Sequence, residues 1–285
     1  MYTSLIKTEE TLYPKSFWLL QQEAILANSC ILTGFEFMVK GGFDDRYKGH
    51  YYTSFFQISI GIERILKLIF ISDHMLKNSY QSPDEKTIKA YKHNLIALYQ
   101  DAKKISAAYE NSELQELEDK SIRKNIFVFM SAFAAGTGRY HNISNIKTVS
   151  NVDPLDQWEK IIDQIKCEDF SESMHSRIET EVASRLNPCL QMQDNIENTG
   201  YVNGVYRHVL VAKTNYYAVW NTLEMIKPLI NVLRAISWKS HEIDTATPTP
   251  DNNYPHIPYY DEIFLFPHTA RKAALRRRRW TDLGI

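Results

Sequence analysis

A chain of 285 residues that is 44% apolar and 24% charged has ordinary globular proportions, which exclude a disordered polymer or a fibrous repeat. That length suits one large domain or two modest ones, burying roughly 70–75% of the unfolded surface. The formal net charge of −1 excludes a whole-molecule field strong enough to pull the chain onto nucleic acid or an anionic membrane, so any such affinity has to be local.

Helix is expected after Pro14, a residue suited to a first turn, with Phe17, Leu20, Ala24, Ile25, Ile31 and Leu32 forming an apolar face and Gly41-Gly42 closing it. The polar stretch 44–49 leads into the strongest helical pattern, about residues 50–77. There Phe55, Ile58, Ile62, Ile65, Leu66 and Ile69 recur at three- and four-residue steps, and Glu63 and Lys67 form an i,i+4 pair. Ser82-Pro83-Asp84 breaks the chain and supplies a cap for a helix carrying Ile88, Tyr91, Leu95, Leu98 and Ile105 on one face. A fourth helix is expected from Ser112, where Ser112 and Gln115 have capping-box spacing. It runs through Ile126-Phe127-Val128-Phe129-Met130 to the stop at Gly136-Thr137-Gly138.

The Ser-, Asn- and Thr-rich link up to Asp153-Pro154 marks a subdomain boundary. Beyond it Trp158, Ile161, Ile162 and Ile165 form one amphipathic helix, and Ile178, Val182 and Leu186 form another, ended by Pro188. After Gly200 and Gly204 a long helix spans about 205–238, interrupted or kinked at Pro228. Residues 245–258, with four prolines, form an extended loop that delivers a short basic terminal helix. No strand-like alternation, internal repeat or Gly-rich phosphate loop occurs, so the fold class is all-α, with three segments: 1–150, 151–244 and 245–285.

Three cysteines, Cys30, Cys167 and Cys189, are odd in number and lack metal-site spacing; they are expected to be reduced thiols of a cytoplasmic protein. The first residues have no apolar core behind a basic start, and no run of 18 uncharged apolar residues follows, so no membrane association is expected. The 17 Tyr and 13 Phe sit mainly at helical spacing, as core edges rather than as a base-stacking array.

Arg139-Tyr140-His141-Asn142, directly after a glycine turn, is the most chemically suggestive cluster. Arginine can hold a phosphodiester and histidine can move protons near neutral pH, the two roles needed by a metal-free ribonuclease. The structural alternative is that these side chains tie off the carbonyls of the preceding helix. Glu63 with Arg64, His93 with Asn94, and Arg46 with His50 are further pocket candidates, each with a solvated-face, core or capping alternative. Arg271, Lys272, Arg276, Arg277, Arg278 and Arg279 offer salt-sensitive phosphate contacts with Trp280 as a stacking platform; alternatively Leu275 and Trp280 pack on the body and the arginines pair with acidic surface. No histidine pair or carboxylate set has ligand spacing, no Gly-x-Ser-x-Gly elbow occurs, and neither metal nor cofactor is expected.

Three pieces, Ile58-Ser59-Ile60-Gly61-Ile62-Glu63-Arg64-Ile65-Leu66-Lys67-Leu68-Ile69, Lys92-His93-Asn94-Leu95-Ile96-Ala97-Leu98-Tyr99 and Gly138-Arg139-Tyr140-His141-Asn142, resemble the HEPN superfamily over about residues 15–150. The resemblance implies an up-and-down helical bundle that often forms homodimers; the later segments are expected to be a C-terminal helical extension packed on that bundle. It also implies a metal-independent endoribonuclease of bacterial stress, toxin–antitoxin or phage-defence systems, or a non-catalytic relative that binds a nucleotide or a protein partner. Active members carry Arg, four to six residues, then His. Here His141 follows Arg139 by two positions, and three residues separate Arg46 from His50. On the catalytic reading Arg139 holds the scissile phosphate of RNA, His141 moves the proton, and Asn142 and Glu63 orient them. On the other reading the same groove binds a partner.

Overall fold

The computed structural model describes residues 13–110, 112–136, 153–186, 196–246 and 255–284, with the backbone alone over 196–199. Helices α1 (Lys15–Lys40), α2 (Lys48–Lys77), α3 (Glu85–Ala90), α4 (Leu95–Ser106), α5 (Ile122–Ala134), α6 (Pro154–Asp169), α7 (Glu172–Arg185), α8 (Ile196–Ala246), α9 (Tyr260–Ile263) and α10 (Arg271–Ala274) build an all-α bundle, and no strand occurs among the described residues. Short 3-10 turns at Phe266–His268 and Thr281–Leu283 complete the tail. Among the described residues no helix is long and apolar enough to cross a membrane.

The centre of the bundle is the antiparallel pair α1 and α2, and glycine makes their close approach possible. A Cβ on Gly34 would lie 2.4 Å from Ile58 Cγ1, one on Gly61 would lie 2.5 Å from Ile31 Cδ1, and one on Gly41 would lie 2.4 Å from the Tyr51 ring. Ser54 adds a buried hydroxyl bond to the Gly34 carbonyl at 2.8 Å. Against this pair α5 and α6 deliver an aromatic cluster: the Phe55 ring centre lies 4.7 Å from Phe129 and 4.9 Å from Trp158, and Phe129 lies 5.1 Å from Trp158. Such offset and edge contacts add to the area that the rings bury.

One hydrophobic cluster runs from Leu20 through Trp158 and Leu233 to Trp280, so the three sequence segments share a single core. Helix α8 is buried over much of its length, and its buried Thr214 and Thr222 satisfy their hydroxyls on the Leu210 and Ala218 carbonyls at 2.9 and 2.7 Å. Residues 257–280 lie on the bundle through Ile257, Tyr260, Phe264, Phe266 and Trp280. Polar ties fix their path: Ser72 to Tyr260 at 2.8 Å, and Ser237 to the Pro258 carbonyl at 2.7 Å.

Four expected elements differ from those observed. The helix expected to carry Ile88 through Ile105 is two helices, because Lys92 takes φ +49° and the Asn94 side chain caps α4 by accepting from the Ala97 amide at 3.1 Å. The fourth helix starts at Ile122 rather than near Ser112. The Ser112 hydroxyl donates backward to the Tyr109 carbonyl, and Ser121 supplies the cap, accepting from the Lys124 amide at 3.2 Å. Gly200 and Gly204 do not precede the long helix but lie inside α8, and Pro228, with its ring at the surface, does not interrupt it. The basic terminus is not one helix either: α10 has four residues, and its chain then turns through bonds from Arg276 and Arg277 amides to the Ala273 and Ala274 carbonyls. Helix α6 starts directly after the polar link, at Pro154, and Asp153 caps it by accepting from the Leu155 amide at 2.8 Å.

Candidate nucleic-acid interface

Arg139, His141 and Asn142 lie outside the described residues. Glu63, their expected orienting partner, is described. It lies two residues, about 200° of helix turn, from Gly61 and so on the side of α2 away from α1, and its residue exposure is only 9%. Its Oε1 accepts from Lys67 Nζ at 2.7 Å, and its Oε2 lies 2.9 Å from His93 Nδ1. The left-handed Lys92 backbone turns the chain there and sets His93 against α2. His93 keeps 57% of its side chain exposed, so this is a rim pair over a buried carboxylate.

Arg46 and His50 form a second group around Tyr47. The Arg46 guanidinium lies 5.7 Å from the Tyr47 ring centre and the His50 ring 6.2 Å from it. His50 and Glu63 are thirteen residues apart on one helix, a separation of roughly 20 Å at 1.5 Å per residue. His93 therefore does not share the pocket of Arg46 and His50.

A basic cleft of about 510 Å³ lies between α7, α8 and the tail. Arg177 of α7, Lys213 of α8, and Lys272, Arg276 and Arg278 of the tail line it, with Glu181 as its carboxylate. Lys213 Nζ lies 2.9 Å from Glu181 Oε2, and Arg185 Nη2 lies 2.6 Å from Oε1. The Lys213 hydrogen bond, aided by Arg185 and opposed by burial, holds the Glu181 carboxyl below the usual glutamate range. Among the described residues Arg177, Lys272, Arg276 and Arg278 form no ion pair, so the cleft keeps an excess of positive charge in a chain of net charge −1. Converging unpaired cations of this kind suit a phosphodiester backbone. Tyr216 and Tyr217 supply aromatic wall, and burial raises the Tyr217 hydroxyl above the usual tyrosine range.

The other basic residues of the tail are used differently. Arg271 lies over the Tyr217 ring at 5.9 Å and reaches Asp169 at 3.4 Å. Arg277 lies 5.7 Å from the Trp280 ring centre and donates to the Arg279 carbonyl at 3.5 Å. Trp280 does not offer a stacking platform. Its side chain has no exposure, because the indole fills a core site beside Phe35.

Sequence inspection found the tail half of this cleft and missed Arg177, Glu181, Lys213, Tyr216 and Tyr217. The only local signal was the i,i+4 series Arg177, Glu181, Arg185 on α7; the meeting of α7 with α8 and the tail is a tertiary event. A second cleft, of about 570 Å³, is lined by Glu113, Glu116, Glu118, Glu168 and Glu224. No group of three or more His, Cys, Asp or Glu residues suited to holding a metal occurs among the described residues. No family model, curated protein or solved structure matches the chain.

Proposed function

We propose that this protein acts on RNA, holding the phosphodiester backbone in the cleft between α7, α8 and the tail. The observation that carries the proposal is the convergence of Arg177, Lys272, Arg276 and Arg278, without carboxylate partners among the described residues, on one open cleft. The choice of RNA among polyanions comes from the HEPN resemblance of residues 15–150. The same resemblance supplies the homodimer and the bacterial stress or phage-defence setting of the proposal. Cleavage would proceed without metal, with Arg139 on the scissile phosphate and His141 transferring the proton.

One observation favours a second reading, a non-catalytic HEPN-like adaptor. Both Glu63 oxygens already hold partners, Lys67 on the same helix and His93 in the turn before α4, so the carboxylate is committed to local contacts.

Fluorescence anisotropy with a labelled single-stranded RNA across a salt series tests binding. Replacing Lys272, Arg276 and Arg278 together by Gln leaves Leu275 and Trp280 in place and should weaken binding and lower the salt slope by about 2, at about 0.7 per phosphate contact. An unchanged slope would overturn the cleft as the interface. Incubation with RNA in EDTA then separates the two readings: cleavage lost in His141→Ala supports the nuclease, and intact RNA bound by the wild-type protein supports the adaptor.

A further inference from the structure

On α8, Gly204 and Lys213 are nine residues apart, which at 3.6 residues per turn places them on opposite sides of the helix. Lys213 faces the basic cleft. Gly204 lines a separate cavity of about 440 Å³ with Gly41, Phe43, Asp44, Tyr47 and Arg207. A Cβ built on Gly204 would meet nothing within 4 Å, so this glycine leaves the mouth open rather than permitting a helix contact.

Hydrogen bonds tie down one side of the cavity. Its floor is the Gly41–Gly42 turn, pinned from below by Asn215, which is fully buried. Asn215 Nδ2 donates to the Gly41 carbonyl at 2.9 Å, and Asn215 Oδ1 accepts from Tyr51 Oη at 2.7 Å. Asp44 fixes the rim: its Oδ1 accepts from the Arg46 amide at 3.1 Å, and its backbone carbonyl accepts from the Tyr47 amide at 3.0 Å. The Arg207 guanidinium lies 5.1 Å from the Phe43 ring centre and pairs with Glu159.

Charge here contrasts with the cleft across the helix. Lys40 and Arg207 are matched by Glu36 and Glu159, and Asp44 adds a further carboxylate. The field therefore does not favour an added anion. What remains is two aromatic walls, an exposed carboxylate whose Oδ2 makes no hydrogen bond to a described residue, and donors on Arg207 and His208. A neutral planar heterocycle fits that set when one edge bears two adjacent N–H donors and another a carbonyl acceptor. The geometry points to a guanine-base site, with Asp44 taking the amidine edge, Phe43 and Tyr47 flanking the ring, and Arg207 and His208 reaching the carbonyl side. Free guanosine and a guanine within RNA present the same edge. The site stands independently of the RNA proposal.

Saturation-transfer NMR on the full chain with guanosine, adenosine, cytidine and guanosine 5′-monophosphate tests it. Guanosine should bind at least about tenfold more tightly than adenosine or cytidine, the scale of one bidentate base contact. Asp44→Asn keeps the Oδ1 acceptor of the turn and should lose that preference. Gly204→Leu, which gains helix propensity and fills the cavity, should abolish saturable binding while circular dichroism stays unchanged. Equal binding of adenosine, full binding by Gly204→Leu, monophosphate binding tighter than guanosine, or no nucleoside binding at all would each overturn the assignment. Competition of guanosine against a guanine-containing and a guanine-free RNA identifies the source: displacement by the guanine-containing strand alone assigns the site to RNA, and displacement by neither assigns it to the free nucleoside.

Discussion

The Trp280 indole meets the Phe35 ring at 5.0 Å with the planes inclined at 70°, and both side chains have no exposure. A residue five positions from the end of the chain thereby belongs to the core formed by α1. The arginines before it, Arg276 and Arg278, are held at the cleft by an anchor that lies beyond them in sequence.

Trp280→Ala should therefore behave as a core deletion rather than a tail change. Loss of a large buried aromatic costs about 3–5 kcal/mol. Urea unfolding should show the whole transition shifted to lower denaturant, because the tail shares its hydrophobic cluster with the bundle. A midpoint equal to wild type would mean that the indole contributes nothing to the core.

A second test concerns the α1–α2 crossing. Gly34→Ala raises helix propensity by about 1 kcal/mol. Its Cβ, however, would lie 2.4 Å from Ile58 Cγ1 and 3.1 Å from the Ile58 backbone nitrogen. The backbone cannot step aside as a flexible side chain can, and overpacking should win, with a net loss of about 1–3 kcal/mol. Ile58→Ala added to Gly34→Ala should recover part of that loss as a coupling energy in a double-mutant cycle. Strict additivity would show that the two helices separate freely.

Most of this fold was legible where apolar residues repeat strictly. Phe55, Ile58, Ile62, Ile65 and Ile69 marked α2, and Asp153-Pro154 marked the start of α6. The errors fall where one side chain had two local partners to choose from, as with Ser112 bonding back to Tyr109, or where a residue such as Lys92 adopts a left-handed backbone. Gly200 and Gly204 resembled a break ahead of the long helix, yet neither takes positive φ and both lie inside α8. For the site, a run of arginines was visible in sequence, but sequence does not show which of them face α7 and which lie over Trp280. Trp280 itself has the composition of a stacking residue and the position of a core residue; its burial by Phe35 depends on a contact 245 positions away.

The tail also responds to pH through Glu36. Its carboxyl is held below the usual glutamate range first by the Thr281 hydroxyl, at 2.8 Å, and also by Lys40, at 3.0 Å, against an opposing effect of burial. A carboxyl whose folded value is lowered contributes stability above its unfolded value, near 4.3 for glutamate, and loses it as pH falls through the folded value. The urea midpoint of the wild type should drop more steeply than that of Glu36→Gln between pH 5 and pH 3, with the two converging at the acid end. Parallel curves would show that Thr281 and Lys40 do not discriminate between the charged and neutral carboxyl.

A buried polar knot holds the return of the chain after α8. Asp244, 7% exposed, accepts from Tyr80 Oη at 2.8 Å and from the His256 amide at 3.2 Å, and its Oδ1 lies 3.0 Å from His256 Nδ1. The Tyr80 and His256 rings stack at 3.9 Å with planes only 6° apart. Tyr80 reaches this position by adopting φ +61°, a strained conformation for a bulky residue, so its contacts must offset that cost. Asp244→Ala leaves the His256 donors unpaired inside the protein and should cost about 1–3 kcal/mol. Tyr80→Gly removes the stack and the hydroxyl bond but also relieves the backbone, so it should cost less than Tyr80→Ala, reversing the usual order of the two substitutions. Thermal unfolding of the pair decides this: if Tyr80→Gly is the less stable variant, the left-handed residue carries no strain and the knot is simply an ordinary packed corner.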